Sequence, residues 1–346
     1  MQSPWLLHLD QIGARFAEDA PGTVSFSDDP RSEVARAASG TVVVPLTHLG
    51  TLRASGEDAS AFLHNLMSND IKKLELHRAH WNSFNSPKGR MLASFLVWRD
   101  GSDFLLQLSA DLLAAMHKKL SMYVLRSKVR LTDVTPEYAA IGLAGPAVAT
   151  TLDAAGLTLP PEAMSVSQGG IQVIRIDAAR VEIHAPVAQA GDLWKKFVGA
   201  GASPAGTSAW RWLDIRAGVP VVTQATQDEF VAQMLNFELI GGVSFQKGCY
   251  PGQEIVARTQ YLGKLKKRMF LAHADSVEAP IAGQDLYAPD FGDQSCGKVV
   301  AVSPAPEGGF DLLAVVQLSS REGGGVTLGS PTGTALSFRP LPYSVG

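Results

Sequence analysis

Between Trp81 and Leu108 two turn signals, Ser86-Pro87-Lys88-Gly89 and Asp100-Gly101, interrupt a run of strand-forming residues. Asp-Gly between Phe95-Leu96-Val97-Trp98 and Phe104-Leu105-Leu106-Gln107-Leu108 fits a tight hairpin, and Pro-Lys-Gly closes the other return. Turns this short reverse the chain, because a parallel neighbour needs a crossover of a dozen or more residues. The pattern is therefore α+β and not a series of βαβ repeats.

The flanking segments fit that reading. Thr41-Val42-Val43-Val44-Pro45 and Leu49 to Ala54 are strand-like, and Ser55 caps a helix with Phe62, Leu63, Leu66 and Met67 on one face. After the hairpin, Ser109 caps a second helix carrying Leu112, Leu113, Met116, Leu120, Tyr123 and Val124, before alternation returns from Lys128 to Val134. From Tyr138 to about Ala200 the order is strand, helix, two strands, helix, a lobe of similar build. Ser208 caps a short helix ended by Ala217-Gly218-Val219-Pro220. Beyond Lys264, short apolar runs separated by Gly, Pro and Asp predict a small antiparallel β-barrel. The expected partition is a lightly packed lead-in over 1–40, α+β lobes over 41–137 and 138–263, and the barrel over 264–346.

With 346 residues the chain has length for two or three domains that need neither disulfides nor structural metal. Its two cysteines, Cys249 and Cys296, cannot by themselves hold an iron-sulfur cluster or an all-thiolate zinc ion. No metal site is expected, although one bridge between the two thiols remains open. A net charge of −3 gives no global attraction to nucleic acid or acidic lipid. The N-terminus has neither a charged n-region nor a long apolar segment, so a cytoplasmic location is expected.

Chemistry is concentrated in Gly241 to Thr259, around Lys247-Gly248-Cys249-Tyr250-Pro251-Gly252-Gln253-Glu254. The glycines allow close backbone approach, Pro251 stiffens the turn, and Gln253 to Tyr261 can begin a helix. Cys249 then lies just before a helix N-terminus with Lys247 nearby, two features that favour a thiolate. The alternative is an inert thiol in a tight turn, and no histidine within ten residues offers a base. Cys296 has no comparable setting and is read as structural.

That run resembles the K-G-C-Y-x-G-Q-E signature of YgfZ-type folate-binding proteins, relatives of the glycine-cleavage T protein. Further matches are Gly56-Glu57-Asp58-Ala59, Ser68-Asn69-Asp70, Pro87-Lys88-Gly89-Arg90-Met91, Tyr123 to Val129, Ala217-Gly218-Val219-Pro220 and Pro340-Leu341-Pro342-Tyr343-Ser344. The resemblance implies two folate-binding lobes and a C-terminal barrel around a central tetrahydrofolate pocket. It also implies support for synthesis or repair of iron-sulfur enzymes, in bacteria including a tRNA methylthiotransferase. It also places Trp210 near folate. Cys249 and Lys247 are the candidates for the chemistry, and Asp214, Arg216, Asn236, Tyr250, Gln253, Glu254 and Arg258 the further candidates for contacting folate. Some have a plainer alternative: a core anchor for Trp210, a turn closure for Asn236, an i,i+4 salt bridge for Glu254 and Arg258.

Departures from the family pattern bear on activity. Ala93 and Ser94 stand where the aminomethyltransferases carry a paired Asp-Asp, and neither replaces a carboxylate as base or cation stabiliser. Arg216 stands where those proteins have Glu, and Leu49 where an aromatic is expected. The leading reading is a tetrahydrofolate-binding accessory protein with a reactive Cys249 rather than an aminomethyltransferase. One rival is a folate-dependent one-carbon transferase of unknown substrate. The other is an RNA- or protein-binding adaptor using the basic cluster Lys264, Lys266, Lys267 and Arg268, which otherwise reads as a solvated strand edge.

Overall fold

The structure is a computed structural model that describes residues 3–18, 20–261, 263 and 265–345. The chain forms two compact units from interleaved stretches: residues 1–62, 72–80 and 95–210 make the first, and 63–71, 81–94 and 211–346 the second.

In the first unit, one five-stranded sheet runs in the order Gln172–Arg175, Arg180–Pro186, Tyr138–Ala144, Val42–Pro45, Ser203–Pro204, antiparallel until the last, parallel pair. Helices Pro4–Gln11 and Val187–Gly199 bury their apolar stripes in its core, where Trp5, Leu9, Ile141, Leu143, Ile183, Trp194 and Phe197 meet. The N-terminal segment is thus packed rather than loose. Glu33, in helix Pro30–Ser39, is fully buried and accepts hydrogen bonds from the Phe26 and Gly206 N–H groups. Among the described residues there, Trp5, Leu9, Val24 and Val34 supply the large buried apolar side chains, too sparse a set to stand out in a Ser/Ala/Arg-rich segment.

A second five-stranded sheet has the order Ala79–Asn85, Met91–Asp100, Asp103–Ser109, Leu49–Ser55, Arg130–Asp133. Its hairpin pairs Asp100 with Asp103 around Gly101, which takes a left-handed φ of 60° as the Asp-Gly signal requires. Residues 81–94 of its first two strands belong to the second unit.

The second unit contains a six-stranded sheet ordered Thr327–Leu328, Asp285–Tyr287, Gly297–Pro304, Phe310–Gln317, Lys267–Ala274, Leu336–Arg339. Its inner face holds Leu286, Cys296, Val299, Leu312, Ala314, Val316 and Val326. The sheet is curled into a half-barrel, the six-stranded antiparallel form of the small barrel expected from the sequence. The two-residue strand Thr327–Leu328 pairs antiparallel with Leu286 and Tyr287, and the isolated bridge Thr327 to Ala335 links it to the chain before Leu336.

Helix Thr207–Ala217 ends at Gly218, whose φ of 67° marks the left-handed C-terminal turn. Tyr343 donates its hydroxyl to the Gly218 carbonyl at 2.7 Å, and a Cβ at 218 would overlap Leu341 and Tyr343. Two separated sequence matches, Ala217 to Pro220 and Pro340 to Ser344, therefore form one contact. No described helix is long and apolar enough to cross a membrane.

Candidate functional site

The Lys247 to Glu254 turn is held from below by its own side chains. Lys247 is buried, and its ammonium donates to the carbonyls of His64 and Met67 at the end of helix Ala59–Leu66. Those carbonyls lack intrahelical partners, and a cation there also meets the negative end of the helix dipole. The ammonium lies 4.7 Å from the centre of the buried Tyr250 ring. Gly252, with φ 77°, approaches the Ser86 to Gly89 turn so closely that a Cβ would come within 2.5 Å of the Ser86 carbonyl oxygen. Helix Gln253–Tyr261 follows, with Val256 buried and Glu254 and Arg258 exposed. Cys249, between these two anchors, is exposed, while Cys296 is buried in the half-barrel and burial pushes its thiol pKa up.

The fold brings a histidine to this turn that local sequence did not offer. A Cβ at Gly248 would lie 3.9 Å from His64 Nε2, and His64 Nδ1 is 3.2 Å from an Asp70 oxygen. Ser68-Asn69-Asp70 also ties into the neighbouring loop, with Ser68 and Asn69 donating to the Gly242 and Gly241 carbonyls.

The other residues expected at the folate are spread over both units. Trp210, 1% exposed, lies in the core of the first unit against Gly142, with the Arg180 guanidinium 5.7 Å from its ring centre. Asn236 is fully buried and left-handed, φ 56°; it donates to the Met269 carbonyl and accepts from Arg268. Asp214 is half-buried on helix Thr207–Ala217, and Gln253 is half-buried at the start of its own helix. Arg216 is exposed, 4.0 Å from an oxygen of the buried Asp311 in the half-barrel. That carboxylate also accepts from Trp212 Nε1, His273 Nδ1 and Arg339 at 2.9–3.2 Å. Ala93 and Ser94 are both buried, and the Ser94 hydroxyl accepts from the Val222 N–H. Leu49 is half-buried at the start of its strand.

In the basic cluster, Arg268 is bound to Glu238 at 2.7 Å and to the Gln233 carbonyl and Asn236. Lys266 is exposed and Lys267 half-buried, while Lys264 lies outside the described residues. Among the described residues, strand Leu336–Arg339 pairs with Leu271 to Ala274, and Asn236 reaches the Met269 carbonyl nearer the Lys267 end.

Several buried polar atoms in the second unit were not singled out from sequence. Ser83 Oγ, both amide atoms of Asn85, and Gln233 Oε1 have no hydrogen-bond partner. Tyr250 and Tyr343 have hydroxyl pKa values pushed up to about 12, chiefly by burial. The folded state therefore favours the neutral phenols; this stability is whole below pH 10 and lost as pH rises towards 12. Urea titrations between pH 8 and 11.5 should show a decline of at most about 2–3 kcal/mol per tyrosine, flattened in Tyr250→Phe and Tyr343→Phe. An equal decline in the double variant would contradict this.

The family model described as the GCVT N-terminal domain matches residues 14–240. The tRNA-modifying protein YgfZ of Colwellia psychrerythraea strain 34H is 28% identical over 283 residues, 80% of this chain and 85% of that protein. Its namesake from Enterobacter sp. strain 638 is 27% identical over 321 residues, covering 91% and 97%. Among solved structures, the glycine cleavage system aminomethyltransferase T from Bartonella henselae has the same fold, with a TM-score of 0.80 over 98% of this chain and 96% of that one at 18% identity. With well over half its length under the family model, and similarity to YgfZ proteins across most of the rest, the chain belongs to the GCVT N-terminal domain family.

Proposed function

We propose that this chain is a tetrahydrofolate-binding accessory protein for the synthesis or repair of iron-sulfur enzymes, including those that modify tRNA, and that Cys249 is its reactive group. The observation that carries the reading is an exposed thiol on a turn fixed on both sides, by buried Lys247 and by Gly252 seated on the Ser86 to Gly89 turn. An inert thiol needs no such scaffold, whereas a reacting one gains from being held in place. The relatives named as tRNA-modifying proteins support the biological setting.

For a reduced folate, Arg258 is an exposed cation suited to the glutamate carboxylates, and Gln253 and Glu254 lie at the start of the same helix. Trp210 and Asn236 support folate less well, since both are engaged within the protein. When bound, the folate supplies a nitrogen that carries one-carbon units. In this chain Lys247 and Tyr250 hold the turn, and Cys249 presents sulfur as nucleophile or transient ligand. Aminomethyl transfer is disfavoured because positions 93 and 94 carry no carboxylate and the Ser94 hydroxyl is taken by Val222. The adaptor reading is weakened because Arg268 is tied to Glu238.

In a bacterial strain lacking its own homologue, Cys249→Ser should abolish complementation while leaving the melting temperature within about 1 °C, as expected for an exposed site. Full rescue by Cys249→Ser would overturn the role of the thiol.

A further inference from the structure

Residues 112–132 hold five cations, Lys118, Lys119, Arg126, Lys128 and Arg130, and no carboxylate, in a chain whose net charge is −3. Helix Ala110–Ser121 ends inside this stretch, and the loop after it puts large apolar side chains in water: Met122, Tyr123 and Leu125 are 62%, 42% and 88% exposed. The loop is not slack. The Ser127 N–H donates to the Val124 carbonyl at 2.8 Å, which closes a β-turn with Leu125 as its first central residue. Lys128 clamps the exit: its N–H donates to the Asp58 carboxylate at 2.8 Å and its ammonium meets Glu57 at 2.7 Å. The Lys128 carbonyl packs so close to Gly56 that a Cβ there would overlap it.

Leu125 takes a left-handed φ of 43° in that turn. Glycine and asparagine fill such a position at little cost, whereas a leucine is strained there and, in water, gains nothing from burial. A fold that holds a strained leucine almost wholly exposed keeps it for a contact with something else. The surroundings define the chemistry of that contact. Leucine and methionine need an apolar pocket, which a protein offers and a phosphate backbone does not. Exposed Lys118, Arg126 and Arg130 on the same stretch call for carboxylates at the rim of that pocket. We propose that the 122–130 loop of the first unit is a docking surface for an acidic protein, with Leu125 as the knob that enters an apolar pocket and the cations as its rim. Such docking requires neither folate nor the Cys249 thiol, so it stands or falls apart from the function proposed above.

The test places the photo-cross-linking residue p-benzoylphenylalanine at position 122 of the full chain and irradiates living bacteria that express it. The expected product is a protein adduct, resistant to ribonuclease, joined through a segment rich in Asp and Glu. Adding Leu125→Gly, or Arg126→Glu together with Arg130→Glu, should cut its yield about five-fold or more. Leu125→Gly should melt no lower than wild type, because glycine relieves the left-handed turn, so its effect on the yield is not one of unfolding. If that variant does not fold, Leu125→Asn decides by the same criterion. No protein adduct, a yield unchanged by these substitutions, an adduct removed by ribonuclease, or one formed between two copies of this chain would each overturn the assignment.

Discussion

Trp210→Ala should destabilise the protein by about 3–5 kcal/mol, the usual cost of emptying a fully buried aromatic site. The indole is 1% exposed and fills the space that a Cβ on Gly142 would need, while Arg180 approaches its ring. Gly142→Val should therefore be strongly destabilising with Trp210 in place and much less so in the Trp210→Ala background, a coupling that a double-mutant cycle on urea midpoints measures. Additive effects would show that the two residues do not share the space. Because the substitution removes a core anchor, loss of ligand binding in Trp210→Ala by itself says little about a contact with folate.

The second large effect is expected at Asp311. Its buried carboxylate gathers Trp212 from helix Thr207–Ala217, His273 and Arg339 from neighbouring strands, and lies 4.0 Å from Arg216. Asp311→Ala strands these donors and leaves cations facing one another, at a cost of about 2–4 kcal/mol. The figure stays below the top of the range for buried pairs, since Arg216 and Arg339 are 42% and 38% exposed and can rehydrate. Asp311→Asn should cost less, because one oxygen still accepts, and Arg339→Ala about 1 kcal/mol or less. Urea unfolding of the three variants checks the ranking, and an Asp311→Ala change under 0.5 kcal/mol would contradict it.

What could be read in advance follows from how local each determinant is. The Asp100-Gly101 hairpin, the Gly218 helix end and helix Gln253–Tyr261 were legible because a few adjacent residues specify them. The Lys247 to Glu254 run was legible as a motif. What Lys247 does was not: its carbonyl partners lie 183 and 180 residues upstream, so proximity to Cys249 in sequence was the signal at hand. His64 reaches the same turn from that distant helix end. Asn236 reads as a polar residue in an apolar context, which fits a pocket as well as a left-handed turn; only the positions of Met269 and Arg268 decide between them. Arg268 likewise looks like one member of a basic run until Glu238 folds against it. Ser83 and Asn85 carry no local signal, because a polar residue on a strand is ordinary until its face proves to be buried. The half-barrel was legible as short apolar strands, whereas periodicity does not mark how the two edge strands meet.

The central claim is tested most directly by anaerobic titration of the purified full chain, under reducing conditions, with tetrahydrofolate and 5-formyltetrahydrofolate. Saturable binding at one site is the predicted result. No heat and no thermal stabilisation at high concentrations of either folate would contradict the account, and would leave the exposed Cys249 turn in need of another partner.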